Sequence, residues 1–349
     1  RVLRKAQEED ERSVETGARG SRAQGAEPIA RRLCAAGFGR GGGAGGRRGP
    51  GSDGTGSLLA VWRLGGAFVP APPEYPLHHA KSILQDAGAT HILAASRFWP
   101  AGDGNGPQFV DLDEQPDESG LPPLPGHVPA GPRDTAFLLF TSGSTGRPKG
   151  IRLSHGALDN RLQWMWRVFP WREGEAAIAK TTMAFADFAW ELFGALFAGV
   201  PVVIPGTDEA RDPAGLFAAI ERYGATRLVI TPTMLKAAES MGLLASHCDG
   251  LHILTCSGEE LPPALAASVL ESLPRTRLLN LYGCSELMAD ATWYEILPGK
   301  RAEWPQGVPL GAPLDTVPLA GVDGHGLPAA EGVVGGLAVS GACPADRSC

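Results

Sequence analysis

The sequence has no run of about 18 uncharged apolar residues, so no membrane-spanning helix is expected. Cysteine is scarce: Cys34, Cys248, Cys256, Cys284, Cys343 and Cys349 are all there are. None forms a CxxC pair, and the eight His do not gather around them. That argues against a zinc site or a disulfide framework and makes a reducing, cytoplasmic setting the default. Positive charge is not in excess either. With 31 Lys and Arg against 38 Asp and Glu the net charge is -7, which gives no general attraction to nucleic acid or an anionic membrane. The opening residues RVLRKAQEEDERS lack the apolar stretch of a signal peptide and do not begin with Met, as expected of a fragment.

What is present is a 349-residue chain that is 43% hydrophobic, enough for one large domain or two ordinary ones with a sizeable core. Residues 1–56 stand apart. Gly37 to Gly56 holds eleven Gly, with Arg40, Arg47 and Arg48 among them. So little apolar surface cannot offset the entropy of ordering, and the segment is expected to be disordered. Its shortness and scarcity of aromatics speak against an RGG-like RNA-binding role. From Ser57 onward strands alternate with helices. Helices are expected at about 77–87, 154–168, 188–199, 213–223, 232–244 and 262–272. Strands are expected at THILAA, AFLLF, PVVI (201–204), TRLVI (226–230), LHILTC (251–256) and TRLLNLY (276–282). The order predicts an α/β domain with a largely parallel sheet.

The strand AFLLF runs into FTSGSTGRPKG, Phe140 to Gly150. A glycine-rich turn presents backbone N–H groups, neighbouring hydroxyls add donors and a lysine adds charge, a set suited to phosphate oxygens. It is not the GxxxxGK[ST] loop, because Pro148 precedes Lys149 and Gly150 follows it.

That loop resembles the phosphate loop of the adenylate-forming superfamily, which includes acyl-CoA synthetases, luciferases and the adenylation domains of nonribosomal peptide synthetases. Further segments resemble the superfamily in the same order: LAVWRLGGAFVPAPPEYP, AFADFAWELFGALFAGVPVVI, CSGEEL, NLYGCSE and VPLGAPLDTV. The resemblance covers about Ser57 to Gly341. It comes nearest to amino-acid adenylation domains, aminoadipate-semialdehyde-dehydrogenase-like proteins and plant acyl-activating enzymes. It implies the large N-terminal subdomain of such an enzyme, of α/β class with stacked sheets and truncated at both ends, with residues 57–349 as the AMP-binding core.

The implied activity joins a carboxylic acid to the α-phosphate of ATP, for transfer to a carrier-protein phosphopantetheine or to CoA; the alternative is a nucleotide-binding remnant without turnover. The implied cofactors are ATP and Mg²⁺. By resemblance Thr141, Ser142, Gly143, Ser144, Thr145, Gly146 and Lys149 hold the β- and γ-phosphates. Glu286 is the metal ligand, Ser285 meets the α-phosphate with Gly283 in its turn, and Tyr282, Gly258 and Glu259 flank adenine. Thr141, Ser142, Lys149 and Glu286 are the implied catalytic group. Ala186, Asp187, Trp190, Thr255, Ser257, Leu281, Ala289 and Asp290 are the implied walls of the acid pocket. Ala186 stands where enzymes for α-amino acids carry an Asp that pairs with the ammonium. Asp187 follows it, as in domains that take β-amino acids such as β-alanine, and Asp290 is a second counter-charge. Asp187 could equally be a helix N-cap. The downstream Asp for the ribose and the terminal subdomain with its Lys are not found in these residues, and Gly336 stands where the superfamily has a Glu.

Overall fold

A computed structural model describes residues 3–5, 14–16, 19–48, 51–100, 106–114, 120–126, 128–141, 148–298, 304, 307–330, 332–341 and 345. The chain begins with a strand pair, β1 (Leu3–Lys5) and β2 (Val14–Thr16), and helix α1 (Arg19–Ala35). Next come β3 (Gly43–Arg47), α2 (Ser52–Arg63), β4 (Ala67–Pro70), α3 (Leu77–Asp86), β5 (His91–Ala94), β6 (Gln108–Asp111), β7 (Thr135–Thr141) and β8 (Lys149–Ser154). Their strands form a sheet ordered β6-β5-β3-β4-β7-β8, parallel except for the β7–β8 hairpin.

The second half supplies α4 (His155–Val168), β9 (Ala177–Ile178), α5 (Asp187–Leu196), β10 (Val202–Val203), α6 (Thr207–Arg211), α7 (Pro213–Tyr223), β11 (Arg227–Ile230), α8 (Pro232–Ser240), α9 (Leu243–His247), β12 (Ile253–Cys256), α10 (Pro263–Ser272), β13 (Arg277–Tyr282), β14 (Thr292–Ile296) and β15 (Ala312–Pro313). These strands make a seven-stranded sheet ordered β10-β9-β11-β12-β13-β14-β15, parallel as far as β13 and antiparallel after it. A hairpin of β16 (Leu319–Val322) and β17 (Gly336–Val339) follows. The mostly parallel α/β class is therefore as expected. One expected helix, 232–244, is two, because Gly242 adopts φ 71 between them.

Helix α5 explains how the halves join. Its residues Phe188 to Leu196 are all buried, so it has no solvent face. A helix buried on every side, with Glu191 as the charged residue among Phe188 to Leu196, lies inside the core. It shares one cluster with α4, with Phe68, Phe137 and Ile151 of the first sheet, and with Val202, Leu279 and Leu281 of the second. Helices α7, α8 and α10 cover the second sheet's other face, through Phe217, Leu235 and Val269. Helix α3 covers the first sheet's other face through Ile83 and Leu84.

The disorder expected for residues 1–56 is corrected for the glycine stretch. Residues 43–47, GAGGR, are the strand between β4 and β5. A Cβ on Gly46 would lie 2.1 Å from Phe68 Cζ, and one on Gly45 2.3 Å from Leu84 Cδ2. The glycines are there because neighbouring side chains fill the space a Cβ would need. Arg47 is 5% exposed and donates to the carbonyls of Phe98 (2.9 Å), Pro72 (3.1 Å) and Tyr75 (2.8 Å). It is thus a buried clamp on the chain after β4. Ahead of the strand, Ala30 and Leu33 of α1 are wholly buried.

Candidate active site

In an open parallel sheet the turns after the strands gather along one edge. Here the turns after β9, β11, β12 and β13, with the start of α5, surround a cleft of about 650 Å³. Thr141, Asp187, Ser257, Gly258, Glu259, Gly283, Ser285, Glu286 and Ala289 all line it. These predicted residues come from four separate segments and meet in one place. Lys149 is the cross-strand partner of Thr141, so the pair closes the base of the predicted phosphate loop. Ser142, Gly143, Ser144, Thr145 and Gly146 lie outside the described residues.

The turn after β13 is tightly built. A Cβ on Gly283 would fall 2.0 Å from the Ala289 carbonyl oxygen, so only glycine lets the two backbone stretches pass. Met288 and Ala289 adopt φ 54 and 80, an uncommon conformation for residues with a Cβ and one found at functional sites. Glu286, on the short 3-10 turn Ser285–Leu287, accepts the Cys284 thiol; burial, then this bond and the carboxylate's charge, push that thiol up. Tyr282, one residue before the turn, is 43% exposed. Glu259 accepts the backbone N–H of Thr233 at 2.9 Å and its hydroxyl at 2.5 Å, fastening the start of α8 to the turn after β12. Its carboxylate therefore already holds that turn, while Gly258 (φ 86) leaves the wall beside it open.

Asp187 is not an N-cap: α5 begins with it, the cap residue is Ala186, and no side chain caps the helix. Its Oδ1 is shielded from solvent and has no hydrogen-bond partner. Burial, followed by the charges of Asp290 and Glu191, raises its carboxyl to about 7, against the pull of Arg161. A carboxyl beside a cleft with one oxygen unpartnered, its proton held by burial, can take a cation in the proton's place. The second counter-charge, Asp290, is corrected. It is 0% exposed and its Oδ2 accepts Arg161 Nε (3.2 Å) and Nη2 (2.9 Å), while Ser257 donates to Oδ1 at 3.2 Å. Burial pushes Asp290 upward and Arg161 and Ser257 hold it back. Its charge is spoken for inside the protein. Trp190, Thr255 and Leu281 lie next to the cleft, in a space that shares Val229 with it. They line this adjoining space of about 50 Å³, and Ala186, 2% exposed, borders neither.

Several cleft residues escaped the sequence reading. Lys180, Thr181 and Thr182 follow β9, and Phe185 is 58% exposed at the cleft although apolar. Phe185 belongs to the AFADFAW segment, so its aromatic character was the available signal. Glu191, fully buried, accepts the Thr181 N–H and hydroxyl at 2.9 Å each and so fixes that wall. Glu74 and Arg211 meet across the cleft at 3.9 Å. Arg161 carried no sequence signal, because a helical Arg normally faces water.

The family model described as AMP-binding enzyme matches residues 26–346. The chain is 34% identical over 299 residues to the β-alanyl-bioamine nonribosomal peptide synthetase ebony of Drosophila melanogaster, covering 82% of this chain and 34% of that protein. It is 35% identical over 291 residues to the phosphinothricin tripeptide synthetase PhsB of Streptomyces viridochromogenes, covering 82% of this chain and 24% of that one. It thus spans about a third of the first relative's length and about a quarter of the second's. In fold it is similar to the N-terminal subdomain of Klebsiella oxytoca NpsA in complex with 3-hydroxyanthranilyl-AMSN, with TM-score 0.77 at 22% identity, covering 94% of this chain and 81% of that one. With the match running through both sheets and every turn around the cleft, the chain belongs to the AMP-binding enzyme family.

Proposed function

We propose that the cleft binds Mg-ATP and a short amino acid, and that the complete enzyme joins the acid's carboxylate to the α-phosphate, releasing pyrophosphate, before passing the acyl group to a carrier-protein or CoA thiol. The observation that carries this reading is the convergence of Thr141, Ser285, Glu286 and Asp187 on one cleft. Charge builds on phosphate oxygens in such a transfer, so positioned donors and a metal do most of the work. Thr141 and Ser285 offer hydroxyls, and Lys149 stands beside Thr141 at the loop's base. A single carboxylate completed by phosphate oxygens and water suits Mg²⁺, and Glu286 provides it. Gly258, in the cleft wall, flanks the purine, and the exposed ring of Tyr282, next to the cleft residue Gly283, closes on its other side. Asp187 receives the substrate ammonium. It sits one residue past the position used for α-amino acids, and one helical residue turns a side chain by about 100°. That favours an ammonium one carbon farther from the carboxyl, as in β-alanine. The named action of the Drosophila relative supports the same acid.

Because the free Asp187 carboxyl titrates at about 7, an ammonium partner must displace its proton at lower pH. Affinity for β-alanine should therefore rise as pH rises through about 7 and level off above it. The test is thermal shift with Mg-ATP, then calorimetry with adenosine joined to β-alanine through a sulfamoyl group, a stable copy of the acyl-adenylate. At a hundredfold excess over Kd, Mg-ATP should stabilise the fold by about 2.7 kcal/mol. Asp187→Ala should weaken the β-alanyl compound at least tenfold and leave ATP binding in place. A folded chain unmoved by millimolar Mg-ATP, or an Asp187→Ala variant that binds the β-alanyl compound unchanged, overturns the reading.

A further inference from the structure

We infer that the chain carries a second ligand site, a groove of about 610 Å³ between α1, α2, α4 and the end of α5, which binds a small organic amine with an aromatic or branched apolar body. The groove shares no residue with the cleft. Its volume is that of a site for a small organic molecule. Trp62 of α2, Trp166 of α4 and Phe197 at the end of α5 all line it, and all three are half-buried. The buried Leu158 and Leu162 line it as well. Single exposed apolar residues are ordinary on a protein surface, but three aromatic side chains left partly open in one concave place mark a site.

The indole N–H groups are already spent inside the protein. Trp62 Nε1 donates to the Ala136 carbonyl at 2.9 Å and Trp166 Nε1 to that of Gly194 at 2.6 Å. What these side chains leave to a ligand is ring surface, which takes apolar groups and attracts cations. The charges at the groove agree. Glu27 of α1 and Asp159 of α4 line it and are exposed. Among the described residues no group pairs with Glu27, and Asp159 accepts the neutral Gln163 Nε2 at 3.3 Å but no cation. Arg63 of α2 is the opposing charge in the lining. Burial, against the charge of Asp134, lowers the imidazole of His155, so that ring adds no fixed charge at neutral pH. Two carboxylates against one guanidinium favour an amine over an acid. The helix ends point the same way. The last turn of α5 carries no basic residue, and its C-cap Phe197 is in the groove wall, where the helix end favours a cation. The start of α4, of opposite polarity, is already capped by Ser154 through the Ala157 N–H.

The experiment measures Kd by NMR titration for 4-phenylbutylamine, 4-phenylbutanol and 4-phenylbutanoate, probes of similar size with a positive, a neutral and a negative end. The unaltered chain should bind the amine about fivefold more tightly than the alcohol, and the acid least tightly. Glu27→Gln with Asp159→Asn changes two exposed side chains; it should weaken the amine about fivefold and leave the alcohol within about twofold. Arg63→Gln, also exposed, should tighten the amine about twofold. Equal binding of the three probes by the unaltered chain, or no binding of the amine, overturns the site, and neither result depends on a variant folding. So does an amine Kd that is unchanged in the folded Glu27→Gln/Asp159→Asn protein, or one that weakens in Arg63→Gln. Because the cleft also holds a carboxyl, Asp187→Ala is the control for place. The amine should bind that variant as it binds the unaltered chain, and a loss there puts the amine in the cleft and overturns the groove. None of these outcomes bears on whether the cleft binds Mg-ATP.

Discussion

Among the described residues, the six-stranded sheet and its loops reach the cleft through Glu74 and Thr141 alone, whereas the seven-stranded sheet and the helices that follow its strands supply the rest. Both sheets are largely parallel, so both offer a row of strand ends. In the first, those ends brace each other: Arg47, closing β3, binds the carbonyls that follow β4. Its centre is fitted by shape, with glycine backbone under Phe68 and Leu84. In the second, the strand ends stay open to the cleft and are set by charge, with Asp187, Glu191 and the Asp290–Arg161 pair within a few turns. One half is a support whose tolerance is steric, and the other is a site whose tolerance is electrostatic.

The strongest way to break that contrast is at the buried pair. Asp290→Ala leaves the Arg161 guanidinium buried without its partner and should cost about 3–5 kcal/mol in denaturant unfolding. The double replacement Asp290→Leu/Arg161→Met should recover most of that loss. On the other side, Gly46→Ala places a Cβ within the Phe68 ring and should cost about 2 kcal/mol. Adding Phe68→Leu should return part of it, which no electrostatic account of the first sheet would give.

A sharper test is Asp187→Asn. The carboxyl is raised from 3.8 to about 7 in the fold, so the folded state holds the proton more tightly between those values. Stability of the unaltered chain therefore falls as pH rises from about 4 to about 7. Above pH 8 the Asn variant should be the more stable by about 2 kcal/mol, less than a carboxylate with no cleft-facing side would give; below pH 4 the difference should vanish. The smallest expected effect is shared by both halves. Ser154 caps α4 through the Ala157 N–H and Thr231 caps α8 through the Met234 N–H. Changing either to Ala should cost about 1 kcal/mol in the melting curve, the same on either side of the contrast.

The sequence made the second sheet legible because its strands are short apolar runs between helices that end in Gly or open with Pro. Gly224, at φ 63 after α7, is one such stop, and Pro213 begins the same helix. The first sheet was legible only from Ala67 on. In β3 the apolar contacts belong to its neighbours' side chains, so composition read as disorder what the fold uses as clearance. Likewise, the cleft was legible where its lining comes from glycine- and hydroxyl-bearing turns, as at Thr141 and Ser285. It was illegible where one buried residue answers another far away in sequence. Asp290 and Arg161 are 129 residues apart, and neither position announces the other.

The turn from Gly283 to Asp290 carries a consequence for how such a site can vary by descent. Glu286 and Asp290 belong to one short, tightly threaded turn, clamped where Gly283 passes the Ala289 carbonyl and bent by two left-handed residues. Single strand residues around the cleft can be exchanged one at a time. A gain or loss of one residue in this turn would instead displace the cleft residue Glu286 and the buried Asp290–Arg161 pair together. Variation should therefore arise here by substitution at fixed length, with the turn inherited as a ruler between the cleft and the buried pair.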